Sequence, residues 1–343
     1  MQIKGKRLYL QWNGTVSSFY GLHFVNLTKG DLIMVLLKER NRVLIEGHEV
    51  DITHPDKMYY PKKKITKLSY IQYLIDVSAY LLPFLKDRVL TAIRYPRGVE
   101  GESFYQKSCP EYAPDFIKTY LHEDIEYIVV SDLATLVWLG NQGALDLHIP
   151  FNSINSSYPS EIVFDLDPPR REDFILAVEA AIILKDILDR LEIPSFIKTS
   201  GNKGLQVYIP LPEATYTYED TRKFTEFIAN YLVKIEPKWF TIERIKKNRG
   251  NRLYVDYLQH AAGKTLIAPY SARGNEEASV ATPLFWHEVT RSLKPSAFTI
   301  DNLPERIRRM GCPFADFFNT KTSQSFDRVL EGLILSSQTS KTP

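Results

Sequence analysis

The chain has 343 residues, with 43 Lys plus Arg against 41 Asp plus Glu and a net charge of +2. No global field therefore draws it to nucleic acid or membrane, and any such partner must be held by local patches. With 44% hydrophobic, 24% charged and 12% aromatic residues, it has the composition of a folded globular protein, which excludes disorder, collagen and coiled coil. Two cysteines, Cys109 and Cys312, exclude a disulfide framework or zinc cluster.

Residues 1–50 read as a β-rich N-terminal extension, with strands over 7–12, 19–27, 32–37 and 42–45 and no catalytic constellation. Its positive start lacks the apolar stretch of a signal peptide, and no apolar run is read as reaching the roughly 18 residues of a membrane span. The expectation is a cytoplasmic, nucleoid-associated protein without a membrane partner. From 65 to 85 the pattern turns helical, with Tyr70, Tyr73, Leu74, Val77 and Leu81 at three and four residue spacings and Pro83 expected to end the helix. A Pro- and Gly-punctuated stretch over 94–114 reads as ordered turns. A strand over 126–130 and a helix over 133–139 follow, the helix opening behind Ser131 as N-cap.

Beyond Pro159, strands are expected over 162–166, 195–198, 205–211 and 252–258, with an amphipathic helix over 173–191. A second helix is expected over 217–235, capped by Thr217 and Asp220. The stretch 321–343, rich in Ser, Thr and Gln, reads as a frayed tail. The fold class is α+β, a mixed α/β catalytic domain over 51–320 with the small extension before it.

The sharpest chemical signal is Glu161-Ile-Val-Phe-Asp165-Leu-Asp167-Pro-Pro169. Side chains two apart share a strand face, so Asp165 and Asp167 point one way while Phe164 and Leu166 face a core, and the prolines stop the strand beside the pair. Like charges so close call for a shared proton or divalent cations, and the motif reads either as a metal clamp or as a solvated strand end. Lys198-Thr-Ser200-Gly201-Asn202-Lys203-Gly204 suits either an anion cradle or a tight hairpin. Asp256, inside the apolar Arg252-Leu-Tyr-Val-Asp256-Tyr-Leu, needs a partner, which is a shared metal or an ion pair with Arg249 or Arg252. Basic clusters at 57–67 and 244–252 border aromatic residues, a surface that suits a nucleic-acid backbone with stacked bases.

Seven motifs in order carry a family resemblance. They are Arg94-Tyr-Pro-Arg-Gly98 with Phe104-Tyr-Gln-Lys107, Trp138-Leu-Gly-Asn141, Leu145-Asp-Leu-His148, Asp165-Leu-Asp167-Pro, the 200–204 loop, Val255-Asp256-Tyr-Leu-Gln259, and Gly263-Lys-Thr265 with Pro269-Tyr-Ser-Ala-Arg273. The chain resembles the polymerase domain of bacterial non-homologous end-joining ligase D, a primase-superfamily fold on mixed, largely antiparallel sheets, in its Bacillus-type version. The resemblance implies a DNA-dependent nucleotidyltransferase that fills gaps and processes ends in double-strand break repair, adding NTP or dNTP to a primer 3′-hydroxyl.

It implies that Asp165, Asp167 and Asp256 hold two divalent ions, Mn²⁺ or Mg²⁺, and that Lys107, His148, Ser200, Lys203, Gln206, Arg249 and Arg273 grip the nucleotide. Lys57 and Lys67 match lysines for a downstream 5′-phosphate, and Phe104 and Tyr105 match aromatic residues against the template. Gln206 departs from the usual His of the family, and Gln carries no charge. Resemblance fails over the first fifty residues, and no Lys-x-Asp-Gly ligase motif occurs, so the chain is not expected to seal nicks. Ku and a separate DNA ligase are the implied partners. The rival readings are a non-catalytic DNA-end-binding module that recruits a ligase, and a primase.

Overall fold

A computed structural model describes residues 42–339, together with short strands at 24–25, 33–34 and 36–38. The strand expected over 7–12 lies outside the described residues. In chain order the elements begin with β1 (Phe24–Val25), β2 (Ile33–Met34), β3 (Leu36–Lys38), β4 (Arg42–Ile45), β5 (His48–Asp51), β6 (Met58–Tyr60) and β7 (Ile65–Thr66). Helix α1 (Lys67–Leu85) leads to β8 (Thr91–Arg94), β9 (Phe104–Gln106), β10 (Thr119–His122), β11 (Ile125–Ile128), α2 (Leu133–Asn141) and β12 (Ala144–Pro150). The second half holds β13 (Glu161–Asp167), α3 (Ile175–Arg190), β14 (Phe196–Thr199), β15 (Leu205–Pro210), α4 (Tyr218–Ile235), β16 (Phe240–Thr241), β17 (Leu253–Asp256), β18 (Thr265–Ile267) and β19 (Pro283–Leu284). Helices α5 (Leu303–Met310), α6 (Phe317–Ser323) and α7 (Asp327–Thr339) close the chain.

Two sheets organise the molecule. The larger runs β16-β17-β13-β15-β14-β19 and the smaller β18-β12-β8-β9; every pairing in them is antiparallel except β16 with β17. Strand alternation gives the large sheet two apolar faces. Phe164, Leu166, Val207 and Ile209 pack with Val178, Leu184 and Leu188 of α3 and Phe224 and Ile228 of α4. Val163 and Tyr208 turn instead into the core shared with α1, α2 and the small sheet, and Asp165 and Asp167 share the face of Val163.

Several local expectations need correction. Pro83 lies inside the last turn of α1, because Lys86 N–H still closes on the Leu82 carbonyl at 2.9 Å and only one bond is forfeited. The N-cap of α2 is Asp132, whose carboxylate accepts the Thr135 N–H at 2.7 Å, while Ser131 donates to Asp132. Helix α1 is long and apolar enough, at mean hydropathy 1.3, to pass for a membrane span, yet its Tyr70, Leu74, Val77 and Leu81 are buried in the core. The tail read as frayed over 321–343 carries the end of α6 and all of α7. Phe317 and Phe326 are buried, and Val329, Leu330 and Leu333 pack on the α3–α4 core at helical spacing, a stripe masked by the surrounding Ser, Thr and Gln.

Candidate active site

Register in the large sheet places one row of residues straight across five strands: Asp256 on β17, Asp165 on β13, Gln206 on β15, Lys198 on β14 and Pro283 on β19. Asp167 stands two residues along from Asp165, opposite Tyr254. Three carboxylates separated by up to 91 positions thus occupy one face at the end of adjacent strands. Each is turned to its own donor. Gln206 Nε2 donates to Asp165 at 3.0 Å, Lys203 Nζ to Asp167 at 3.1 Å, and the Tyr254 hydroxyl and Gln259 N–H to Asp256 at 3.1 and 3.0 Å. Neither Arg249 nor Arg252 pairs with Asp256, since both donate to backbone carbonyls of the 243–249 turn, and the Arg249 guanidinium lies 3.7 Å from the Tyr254 ring centroid.

Among the described residues no three His, Cys, Asp or Glu side chains already converge as a metal shell, as expected for carboxylates that repel one another. Burial pushes the Asp165 carboxyl up to about 6 against the pull of the Gln206 bond, and the charges of Asp167 and Asp256 add to the rise. An arriving cation removes that cost. The all-oxygen donor set is of the class that magnesium and manganese prefer, so the three residues fit divalent ions.

Beside Asp167 the 200–204 loop is the tight β14–β15 hairpin that its glycines allow. Ser200 N–H donates to the Gly204 carbonyl at 2.9 Å, and the Ser200 hydroxyl accepts the Gly204 N–H at 3.0 Å. A Cβ on Gly204 would sit 2.5 Å from the Leu166 carbonyl oxygen, so only glycine lets the hairpin lie against β13. Gly201, at φ +71°, packs in the same way on Arg273, whose Cγ a Cβ would meet at 2.7 Å. The hairpin and anion-cradle readings are therefore compatible, because the same turn carries Ser200 and Lys203 beside the aspartates.

From the small sheet, β12 brings His148 to within 3.4 Å of Arg273. Burial, with Arg273 and Lys198 near, holds His148 down at about 3, and its Nδ1 has no partner among the described residues. Arg273 also lies 3.5 Å from Asp146, which accepts the Gly274 N–H at 2.6 Å. Lys107, Phe104 and Tyr105 are exposed on and after β9, with Arg94 5.3 Å from the Phe104 ring centroid.

Lys67 is the first residue of α1, and its backbone N–H donates to the Lys57 carbonyl at 2.7 Å. Its Nζ reaches Thr53 Oγ1 and Asn141 Oδ1, each at 3.1 Å, while Lys57 is exposed beside it. Two lysines at a helix N-terminus suit an anion by charge and by dipole. Sequence reasoning assigned no role to Asp146, Asn141, Tyr254 or Lys198. All four sit inside quoted stretches, and the period-two alternation that puts Asp146 on the face of His148 was the available signal for the first.

The family model for the LigD primase-polymerase domain matches residues 66–314. Bifunctional non-homologous end joining protein LigD of Bacillus subtilis is 53% identical over 285 residues, covering 83% of this chain and 47% of that protein. Multifunctional non-homologous end joining protein LigD of Mycolicibacterium smegmatis is 30% identical over 247 residues, covering 70% of this chain and 32% of that protein. The chain thus spans about half the length, or less, of these curated relatives. Among solved structures, the polymerase domain of Mycobacterium tuberculosis ligase D in complex with DNA superposes with a TM-score of 0.71 at 29% identity, covering 77% of this chain and 96% of that one.

Proposed function

Because the chain belongs to the LigD primase-polymerase domain family, whose members are nucleotidyltransferases of the primase-polymerase type, we propose that it extends a primer 3′-hydroxyl with NTP or dNTP at DNA gaps and ends. The observation that carries this reading is the row of Asp165 and Asp256 with Asp167 beside it, flanked by the Ser200–Lys203 hairpin and by Arg273. Asp165, Asp167 and Asp256 would hold divalent cations, Mn²⁺ or Mg²⁺, which acidify the 3′-hydroxyl and neutralise charge at the leaving pyrophosphate. Ser200, Lys203 and Arg273 bind the triphosphate, His148 as a neutral ring supports Arg273, and Lys107 and Arg249 flank the nucleotide. Gln206 works from behind by fixing Asp165. Lys57 and Lys67 take a downstream 5′-phosphate, and Phe104 with Tyr105 abut the template base.

Such a domain serves repair by non-homologous end joining in the cytoplasm, beside Ku and a separate DNA ligase. Primer extension on a 5′-phosphorylated gapped duplex tests the reading. Wild-type protein adds templated nucleotides only with a divalent ion, and the Asp165→Ala, Asp167→Ala double variant loses addition while still binding DNA. Extension by that variant would overturn the assignment.

A further inference from the structure

Two buried polar groups that face each other across strands β14 and β15 have no good partner. Lys198 is fully buried, with its Nζ only 3.4 Å from the Thr199 carbonyl and 5.8 Å from the Tyr208 ring centroid, and it forms no ion pair among the described residues. Gln206, directly opposite in register, is 2% exposed; its Nε2 is committed to Asp165, and its Oε1 is buried without a partner among the described residues. One row therefore reads carboxylate, amide with a satisfied donor end, amide with an orphaned acceptor end, and a lysine in want of an acceptor. Residues directly opposite in an antiparallel pair have Cβ atoms about 5 Å apart, within reach of each other's side chains. An amide left to itself has two nearly isosteric orientations, and in the flipped one it would present its oxygen to the carboxylate of Asp165.

We propose that Lys198 is a positioning residue for nucleotidyl transfer: in the working site its amine turns from the long 3.4 Å contact with the Thr199 carbonyl to donate to Gln206 Oε1, and so fixes the amide with Nε2 toward Asp165. The inference rests on the polymerase reading above. It holds for the lysine as ammonium or as neutral amine, because both donate. It also explains how a glutamine serves beside the carboxylates, since the neighbouring lysine chooses between its two ends.

The test compares wild type, Lys198→Met, Gln206→Met and the double variant in steady-state primer extension, with Mn²⁺ binding to each apo protein measured by electron paramagnetic resonance and folding checked by thermal denaturation. Lys198→Met is expected to lower kcat roughly tenfold, the scale of one hydrogen bond to a charged group, with the nucleotide KM within about twofold of wild type. Gln206→Met should do the same, the double variant should be no worse than Gln206→Met alone, and Mn²⁺ should bind both single variants more weakly. Losses that multiply in the double variant, a changed KM with kcat intact, or unaltered Mn²⁺ binding would overturn the proposal. Wild-type protein without any extension would instead sink the polymerase reading itself.

Discussion

The affinity for a 5′-phosphate should fall as pH rises past about 8, and the cause is local to Lys67. Burial at the start of α1, with Lys57 beside it, holds the Lys67 ammonium down at about 8. A 5′-phosphate between two lysines draws Lys67 back to its charged form, so above pH 8 binding must first take up a proton. With Lys67 charged in the complex, apparent affinity follows the protonated fraction of the free protein, which is about 0.9 at pH 7, about 0.5 at pH 8 and about 0.1 at pH 9. The expected loss between the ends of that range is roughly tenfold, whereas a lysine at its ordinary value would give a change of only about 4%. The phosphate, with a second pKa near 6, stays essentially dianionic over this range and adds no comparable slope. Fluorescence anisotropy at constant ionic strength, on gapped duplexes with and without the 5′-phosphate, isolates the term, because the ratio of the two affinities cancels every other contact. A ratio that stays flat from pH 7 to 9 refutes the argument, and Lys67→Arg, which cannot lose its charge, should flatten the profile.

Three further outcomes follow from the geometry. Since the Asp165 carboxyl is held above its ordinary value, its ionisation costs stability as pH rises from 3.8 through about 6, and Asp165→Asn should stabilise the metal-free protein at neutral pH by up to about 3 kcal/mol, read as a higher Tm. A lower Tm for that variant would contradict the assigned cost of burying that charge. Gly204→Ala should reduce extension by pushing the hairpin off β13, with the nucleotide KM rising; unchanged kinetics would show that the 2.5 Å approach is not required. Arg88, buried and bidentate to Glu161 with a bond to the Pro150 carbonyl, should cost about 3–5 kcal/mol in urea unfolding when replaced by Met, and less when Glu161→Met accompanies it.

Much of the site was legible because its chemistry sits on strands, where period two fixes facing. The Asp165 and Asp167 pair, with Phe164 and Leu166 turned to the opposite core, required nothing more than alternation. Thr217 and Asp220 announced the capping box of α4 by spacing alone. What alternation cannot give is register between strands far apart in sequence. That Gln206 lies between Asp165 and Lys198, or that Asp146 anchors the loop carrying Arg273, depends on pairings read only from the folded sheet. Composition misled at the C-terminal end, where a few apolar residues at helical spacing outweigh many polar neighbours.

Arg273, which touches both the hairpin and His148, follows β18 and precedes the last strand of the large sheet. His148, Gly201 and Arg273 come from segments as much as 125 positions apart and meet only where the two sheets adjoin, so a local opening of either sheet dismantles this corner as a whole.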